Sequence, residues 1–145
     1  MATIDSRAST LVRAIEACIT GDVSSLEELF TRDVVGSTPA ITISSREELA
    51  IELEEHEDAF SGLELTAIPL DVSGDQACVE WVASAVHSGP LLLDDLGGAV
   101  LEPSGRRLEI RGVTVAVFDG DRISTFRHYW DERSLRGELG LLDDD

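Results

Sequence analysis

Residues Ser104 to Gly140 read SGRRLEIRGVTVAVFDGDRISTFRHYWDERSLRGELG, and this stretch decides the fold. Two runs rich in Val, Ile, Phe, Thr and Tyr flank Asp119-Gly120-Asp121. Asp-Gly between apolar runs is the strongest short-range hairpin signal. The pattern predicts strands over Leu108–Phe118 and Arg122–Trp130. The second strand ends in FRHYWD, and a short amphipathic segment closing on Leu139-Gly140 follows at once as a terminal helix.

Working outward toward the N-terminus, the periodicity changes from two to 3.6. Leu11, Ala14, Ile15, Cys18 and Ile19 share one face of a helix over Ser6–Thr20, stopped by Gly21. Ser24 with Glu27 has the spacing of a capping box and predicts a second helix carrying Val23, Leu26, Leu29 and Phe30. Ser45 with Glu48 repeats the box ahead of a third helix, whose stripe is Leu49, Leu53, His56 and Phe60. A short extended piece lies between them, around Val34-Val35 and Ile41–Ile43. Leu63–Val72 and Ala77–His87 read as strands around a Gly74-Asp75 turn. Gly89–Pro103 holds Gly89-Pro90, Gly97-Gly98 and Pro103, and reads as a long loop able to serve as a lid or rim. Helices first and antiparallel strands afterwards give an α+β chain: a curved antiparallel sheet wrapped around N-terminal helices, with a short C-terminal helix. One domain is expected over residues 1–145, with its ordered core at about 6–142.

The same stretch resembles the C-terminal half of the SnoaL-like polyketide cyclases. Asp121-Arg122-Ile123, Tyr129-Trp130-Asp131 and Glu138-Leu139-Gly140 match that family's final strand and its helix ending in Gln-Leu-Gly, with Glu in place of Gln. Val86-His87-Ser88-Gly89-Pro90-Leu91 is similar to its Thr-His-Thr-Gly-Pro-Leu segment. The resemblance implies the cone-shaped fold shared by nuclear transport factor 2, ketosteroid isomerase and limonene epoxide hydrolase, and a dimer. It also implies a small-molecule cyclase or isomerase. Function itself must be argued from the site.

Alternation along the strands separates the two faces of the sheet. Ser124, Phe126, His128 and Trp130 share one face, and Thr125, Arg127 and Tyr129 the other. Trp81, Ala83, Ala85 and His87 share a face on their own strand, where the two alanines leave space between bulky walls. The expected pocket wall is therefore Trp81, Phe126 and Trp130, with Phe30 and Phe60 contributed by the helices. In Leu108–Phe118 both parities are apolar, Thr114, Ala116 and Phe118 on one side and Val113, Val115 and Val117 on the other. A one-sided sheet alternates apolar and polar. The convex face is thus expected to meet a second copy of the chain, as an isologous homodimer.

His128 is the first candidate for proton transfer, since imidazole titrates near neutrality. The family often carries an acidic residue at the corresponding point of its last strand. Asp131 looks like the terminal Asp of that family motif and is a second candidate. Its position just before ERSLRGELG also suits a helix N-cap, and it falls on the opposite parity from His128. His87, at a strand end before Ser88-Gly89-Pro90, is a third candidate, able to divide acid and base roles with His128. His56 belongs to a helical stripe and reads as core or rim. The resulting expectation is a cyclase or isomerase acting on a small apolar carbonyl compound without a cofactor. Two alternatives stay open: a ligand-binding or purely structural dimer, and epoxide hydrolysis, which wants an Arg between two carboxylates in the pocket.

No His-x-x-x-His, Cys-x-x-Cys or Glu-x-x-His spacing occurs, so neither a metal nor a cofactor is expected. Cys18 and Cys78 fall on apolar stripes and read as buried small hydrophobes. The first ten residues lack an apolar signal core and no run reaches membrane-spanning length, so a cytoplasmic location is expected. The formal net charge is −18, and all eleven basic residues are arginine. Acidity without a basic patch argues against nucleic acid and against an anionic membrane surface. Such self-repulsion suits high salt, where screening shortens the Debye length to about 3 Å at 1 M. Salt adaptation predicts a melting temperature that climbs between low and molar salt. A melting temperature indifferent to salt assigns the acidity to genome composition instead.

Overall fold

The computed structural model describes residues 4–55, 58–93 and 99–141, with side chains placed from Arg7 onward except at 71–72 and 92–93. Helix α1 (Ile4–Thr20) carries Leu11, Ala14 and Ile15 fully buried on the expected stripe. Gly21 ends it at φ 75°, a left-handed conformation that costs glycine least. Cys18 packs against the same core, and burial pushes its thiol up to about 12.

The predicted second helix is shorter than expected. A single 3-10 turn, Val23–Ser25, leads into the four-residue α2 (Leu26–Leu29). Asp22 caps the turn, its Oδ1 accepting from the Ser24 amide at 3.0 Å, so the Ser24–Glu27 box is not built. Phe30 then leaves the helix to open strand β1 (Phe30–Ser37), where it pairs with Ile123 and is 1% exposed. Strand pairing and burial outweigh the helical periodicity there. After β2 (Thr42–Ile43), α3 (Arg46–Glu54) begins at its predicted cap, Ser45 Oγ accepting from the Glu48 amide at 3.1 Å. Helix α3 stops before Phe60, which instead starts β3 (Phe60–Ser73). His56 lies outside the described residues.

Strands β4 (Gln76–His87), β7 (Arg107–Asp119) and β8 (Arg122–Trp130) complete a curved, unclosed six-stranded sheet of order β2-β1-β8-β7-β4-β3. All its pairs are antiparallel except β1 with β8. The predicted 89–103 loop contains a ribbon, β5 (Leu91–Leu93) paired with β6 (Ala99–Leu101), and its residues 94–98 lie outside the described ones. Its glycines and prolines mask two short apolar runs that pair with each other.

The hairpin joining β7 and β8 turns through Gly120-Asp121, with Gly120 at φ 64°. A bulge shortly after the turn leaves Ser124 without a partner on β7. It changes the predicted parity: Ile123, fully buried, joins the inner face, while Ser124 donates to the Val117 carbonyl at 3.1 Å. From Phe126 onward the predicted alternation holds, with Phe126 and His128 buried and Arg127 and Tyr129 exposed. Arg7 ties α1 to two hairpin turns, donating to the Gly74 and Gly120 carbonyls with its guanidinium 5.5 Å from the Phe118 ring.

Leu26, Leu29, Leu49 and Leu53 from the short helices join α1 in filling the concave side of the sheet. Helix α4 (Glu132–Glu138) closes the chain against β7, where the Glu138 carboxylate accepts from the Glu109 amide at 2.9 Å. A Gln would offer the same acceptor oxygen, so Glu at this place keeps the contact. On the convex side Val113, Val115 and Val117 are half-buried, and Tyr129 and Ile68 are 52% and 55% exposed.

Candidate functional site

The register of β4, β7 and β8 arranges the concave face in rows. One row runs Ala67, Trp81, Gly112, Trp130, and the next runs Val79, Thr114, His128. Gly112 is what lets the first row work. A Cβ there would lie 2.3 Å from Trp81 Cζ2 and 2.6 Å from the Tyr129 carbonyl oxygen, so the indole takes the space that a side chain would fill. Trp81 Nε1 then lies 2.9 Å from Thr114 Oγ1. Thr114 Oγ1 is in turn 2.7 Å from His128 Nδ1. All three side chains are at least 95% buried.

Aromatic rings enclose the imidazole. Phe126 lies 4.9 Å from it and Trp130 stacks at 6.3 Å. Phe126 is itself seated over Gly36 of β1, where a Cβ would come within 2.1 Å of the ring, and it packs against Phe30 at 5.5 Å. Trp130 is held from outside, Nε1 donating to Glu132 Oε2 at 2.7 Å. The far imidazole nitrogen, His128 Nε2, is buried and has no hydrogen-bond partner. Burial pushes His128 down to about 4, so the imidazole is neutral at pH 7.

The other candidates lie elsewhere. His87 is fully buried at the end of β4, with Nδ1 accepting from the Ser104 amide at 3.3 Å and its ring 5.8 Å from Phe60. Its Nε2 is also unpartnered. Val79 stands level with His128, and His87 lies eight positions further along β4, roughly 26 Å at ~3.3 Å per residue. The two imidazoles therefore do not form a pair. Asp131 caps α4, Oδ1 accepting from the Ser134 amide at 3.1 Å and Oδ2 from the Ser134 hydroxyl at 3.0 Å. Those bonds hold its carboxyl below the usual range. Phe30 and Phe60 are thus split, one behind Phe126 and the other beside His87.

A groove of about 400 Å³ opens between α1, the 3-10 turn and β3, lined by Ala17, Leu29, Leu63 and Leu65 with Arg13 and Asp22 at its polar side. Leu65 pairs with Ala83, one row from Trp81 and two from His128. Trp81 therefore stands between this groove and the imidazole. Among the described residues, no three His, Cys, Asp or Glu side chains cluster as metal ligands, and no helix is long and apolar enough to cross a membrane.

Thr114, Gly112 and Gly36 were not singled out by the sequence reading. A glycine inside an otherwise β-branched run was the available signal, since it marks close approach of another group. Nothing local says that the approaching group is Trp81.

The sequence matches the profile of the SnoaL-like polyketide cyclase family over residues 9–139, and the chain belongs to that family. Solved structures share the fold. AclR from Streptomyces galilaeus, described as a candidate hydroxylase, is 20% identical, with a TM-score of 0.74 over 99% of this chain and 86% of its own. TsrD from Streptomyces laurentii is 22% identical, with a TM-score of 0.73 over 95% and 97%. IdmH from Streptomyces antibioticus, described as a candidate polyketide cyclase, is 22% identical, with a TM-score of 0.70 over 92% and 98%. No curated protein matches the chain significantly.

The buried imidazole ties stability to pH. The unfolded chain takes up a proton near pH 6.5, whereas the folded His128 resists protonation until about 4. Its contribution is whole above pH 6.5 and is lost as pH falls from there to about 4, by about 3 kcal/mol at the lower end. Urea unfolding of the wild type and His128→Gln should show the wild type losing that much relative to the variant between pH 7 and 4. A difference between them that is constant with pH refutes the assignment.

Proposed function

We propose that this chain is a cofactor-free cyclase or isomerase that binds a small apolar carbonyl compound and moves a proton beside that carbonyl by acid–base catalysis. The observation that carries the proposal is His128, an enclosed imidazole between Phe126 and Trp130 with one nitrogen unpartnered. Aromatic walls with a few placed polar groups are what small-molecule sites consist of. Family membership supports the reaction class. In this reading His128 donates to the carbonyl oxygen and steadies the enolate that forms there, a second oxygen of the polyketide-like ligand takes the proton that leaves carbon, and Trp81, Phe126 and Trp130 exclude water from the carbonyl. Asp131, committed to its cap, has no part in the chemistry.

Conversion of apolar cyclic ketones and polyketide-like carbonyls, after binding is registered through Trp81 and Trp130 fluorescence, tests this. His128→Ala should fold and lose about 10²- to 10⁴-fold in rate, while Asp131→Asn stays near wild type because Asn also caps helices. Loss of activity in Asp131→Asn with His128→Ala still active would falsify the assignment. Binding without turnover in the wild type makes the protein a ligand-binding module of the same fold.

We also propose that the working form is a twofold homodimer through the convex face. Val113, Val115 and Val117 with exposed Ile68 and Tyr129 leave apolar area there that a partner copy covers. Light scattering should report a dimer at moderate salt. Val115→Arg, which sets a second guanidinium beside Arg127 on each copy, should give a folded monomer. A wild type monomeric across micromolar concentrations refutes the dimer.

A further inference from the structure

We infer that Thr114 and Trp81, seated by Gly112, are positioning residues that lock His128 as the Nε2–H tautomer, so that the site selects ligands presenting a hydrogen-bond acceptor oxygen. The inference rests on the proposal that His128 meets the ligand, and it adds which way the proton faces.

The direction follows from counting donors. The indole Nε1–H of Trp81 can only donate, and it occupies one lone pair of Thr114 Oγ1. The threonine hydrogen then needs an acceptor, and His128 Nδ1 lies 2.7 Å away. With the hydroxyl donating to Nδ1, the neutral ring carries its hydrogen on Nε2, leaving one buried group unpaired. In the opposite tautomer, two donors point at one oxygen. The threonine hydrogen and the Nε2 lone pair are then both stranded. Each unpaired buried group carries its own desolvation penalty, so the arrangement with one orphan prevails over the arrangement with two. Burial keeps the ring neutral, so a single ring hydrogen is shared out between the two nitrogens by these bonds alone.

The remaining orphan defines the ligand. Nε2–H is a donor enclosed by Phe126 and Trp130, and a carbonyl or enolate oxygen satisfies it where a hydrocarbon edge does not. A neutral imidazole held in this way polarises a carbonyl as a hydrogen-bond donor, and it needs no imidazolium to do so. Gly112 belongs to the same device, because a side chain there pushes the indole off the strand and breaks the first link.

Nitrogen NMR of the whole chain with ¹⁵N-labelled histidine reads the tautomer directly at pH 7.5. The wild type should show a protonated, pyrrole-like Nε2 and a pyridine-like Nδ1 at His128. Thr114→Ser, which keeps the hydroxyl, should preserve that pattern, and Thr114→Val should mix the tautomers. If Thr114→Val does not fold, the wild type and Thr114→Ser decide alone. A protonated Nδ1 in the wild type overturns the inference, as does a Thr114→Val ring identical to the wild type. As ligand probes, 1-indanone should bind at least about tenfold more tightly than indane, which has the same shape without the oxygen. It should also shift the Nε2–H resonance. Equal affinities, or none for either, overturn the acceptor requirement. The tautomer is read without turnover. An inactive protein with Nε2–H in place removes the catalytic reading alone, and an active one with Nδ1–H removes this inference alone.

Discussion

Strand β7 is flanked on both sides by long antiparallel partners, and the register of those two pairings is the constraint on which the rest of the molecule depends. A slip of one residue in either would turn Thr114 or His128 from the concave to the convex face, because side chains alternate with a period of two. It would also remove Gly112 from beneath Trp81. The bulge at Ser124 absorbs one such slip near the turn, where Ile123 takes over the inward place, and restores alternation before Phe126 is reached. The hairpin turn and the site are thus in different registers joined by a single unpaired residue.

The interior built on this frame is apolar except where polar groups are linked. Three side chains able to hydrogen-bond, Trp81, Thr114 and His128, are nearly sealed from solvent. Two hydrogen bonds join them into one chain with one open end. A partly satisfied buried network is normally a liability, since a low local dielectric raises the cost of every unpaired group. Its persistence beside two glycine seats is what makes the region the candidate site. Charge at the end of β8 is committed elsewhere: Asp131 caps α4, and Glu132 accepts from the Trp130 indole.

Much of the fold was legible. The β7–β8 hairpin, α1, the Ser45 cap of α3 and the capping of α4 by Asp131 follow from turn chemistry, apolar spacing and cap residues, all short-range signals. The misreadings of Phe30, of Phe60 and of the 89–103 stretch share one cause. Phe30 and Phe60 sit at helical spacing from apolar neighbours, yet each starts a strand, because its pairing partner, Ile123 or His87, is distant in sequence. The ribbon of β5 and β6 was hidden in the same way, its two short runs becoming strands only by pairing with each other.

By itself the sequence determined the first and third helices, the four long strands and the terminal helix in their order, the two faces of the last strand from Phe126 onward, the inward side of His128 among aromatics and the family. These depend on local propensity and on alternation, which the chain carries within a dozen residues of any point. Only the tertiary structure decided that His128 and His87 stand apart, since eight positions along β4 separate rows that sequence order leaves undefined. It also decided that Trp81 reaches Thr114 and that Thr114 reaches His128. Those contacts span three strands, and they exist because Gly112 removes a Cβ at one crossing of the sheet. No pattern within a single strand encodes such an event, because its energy comes from atoms that meet only when the sheet has formed.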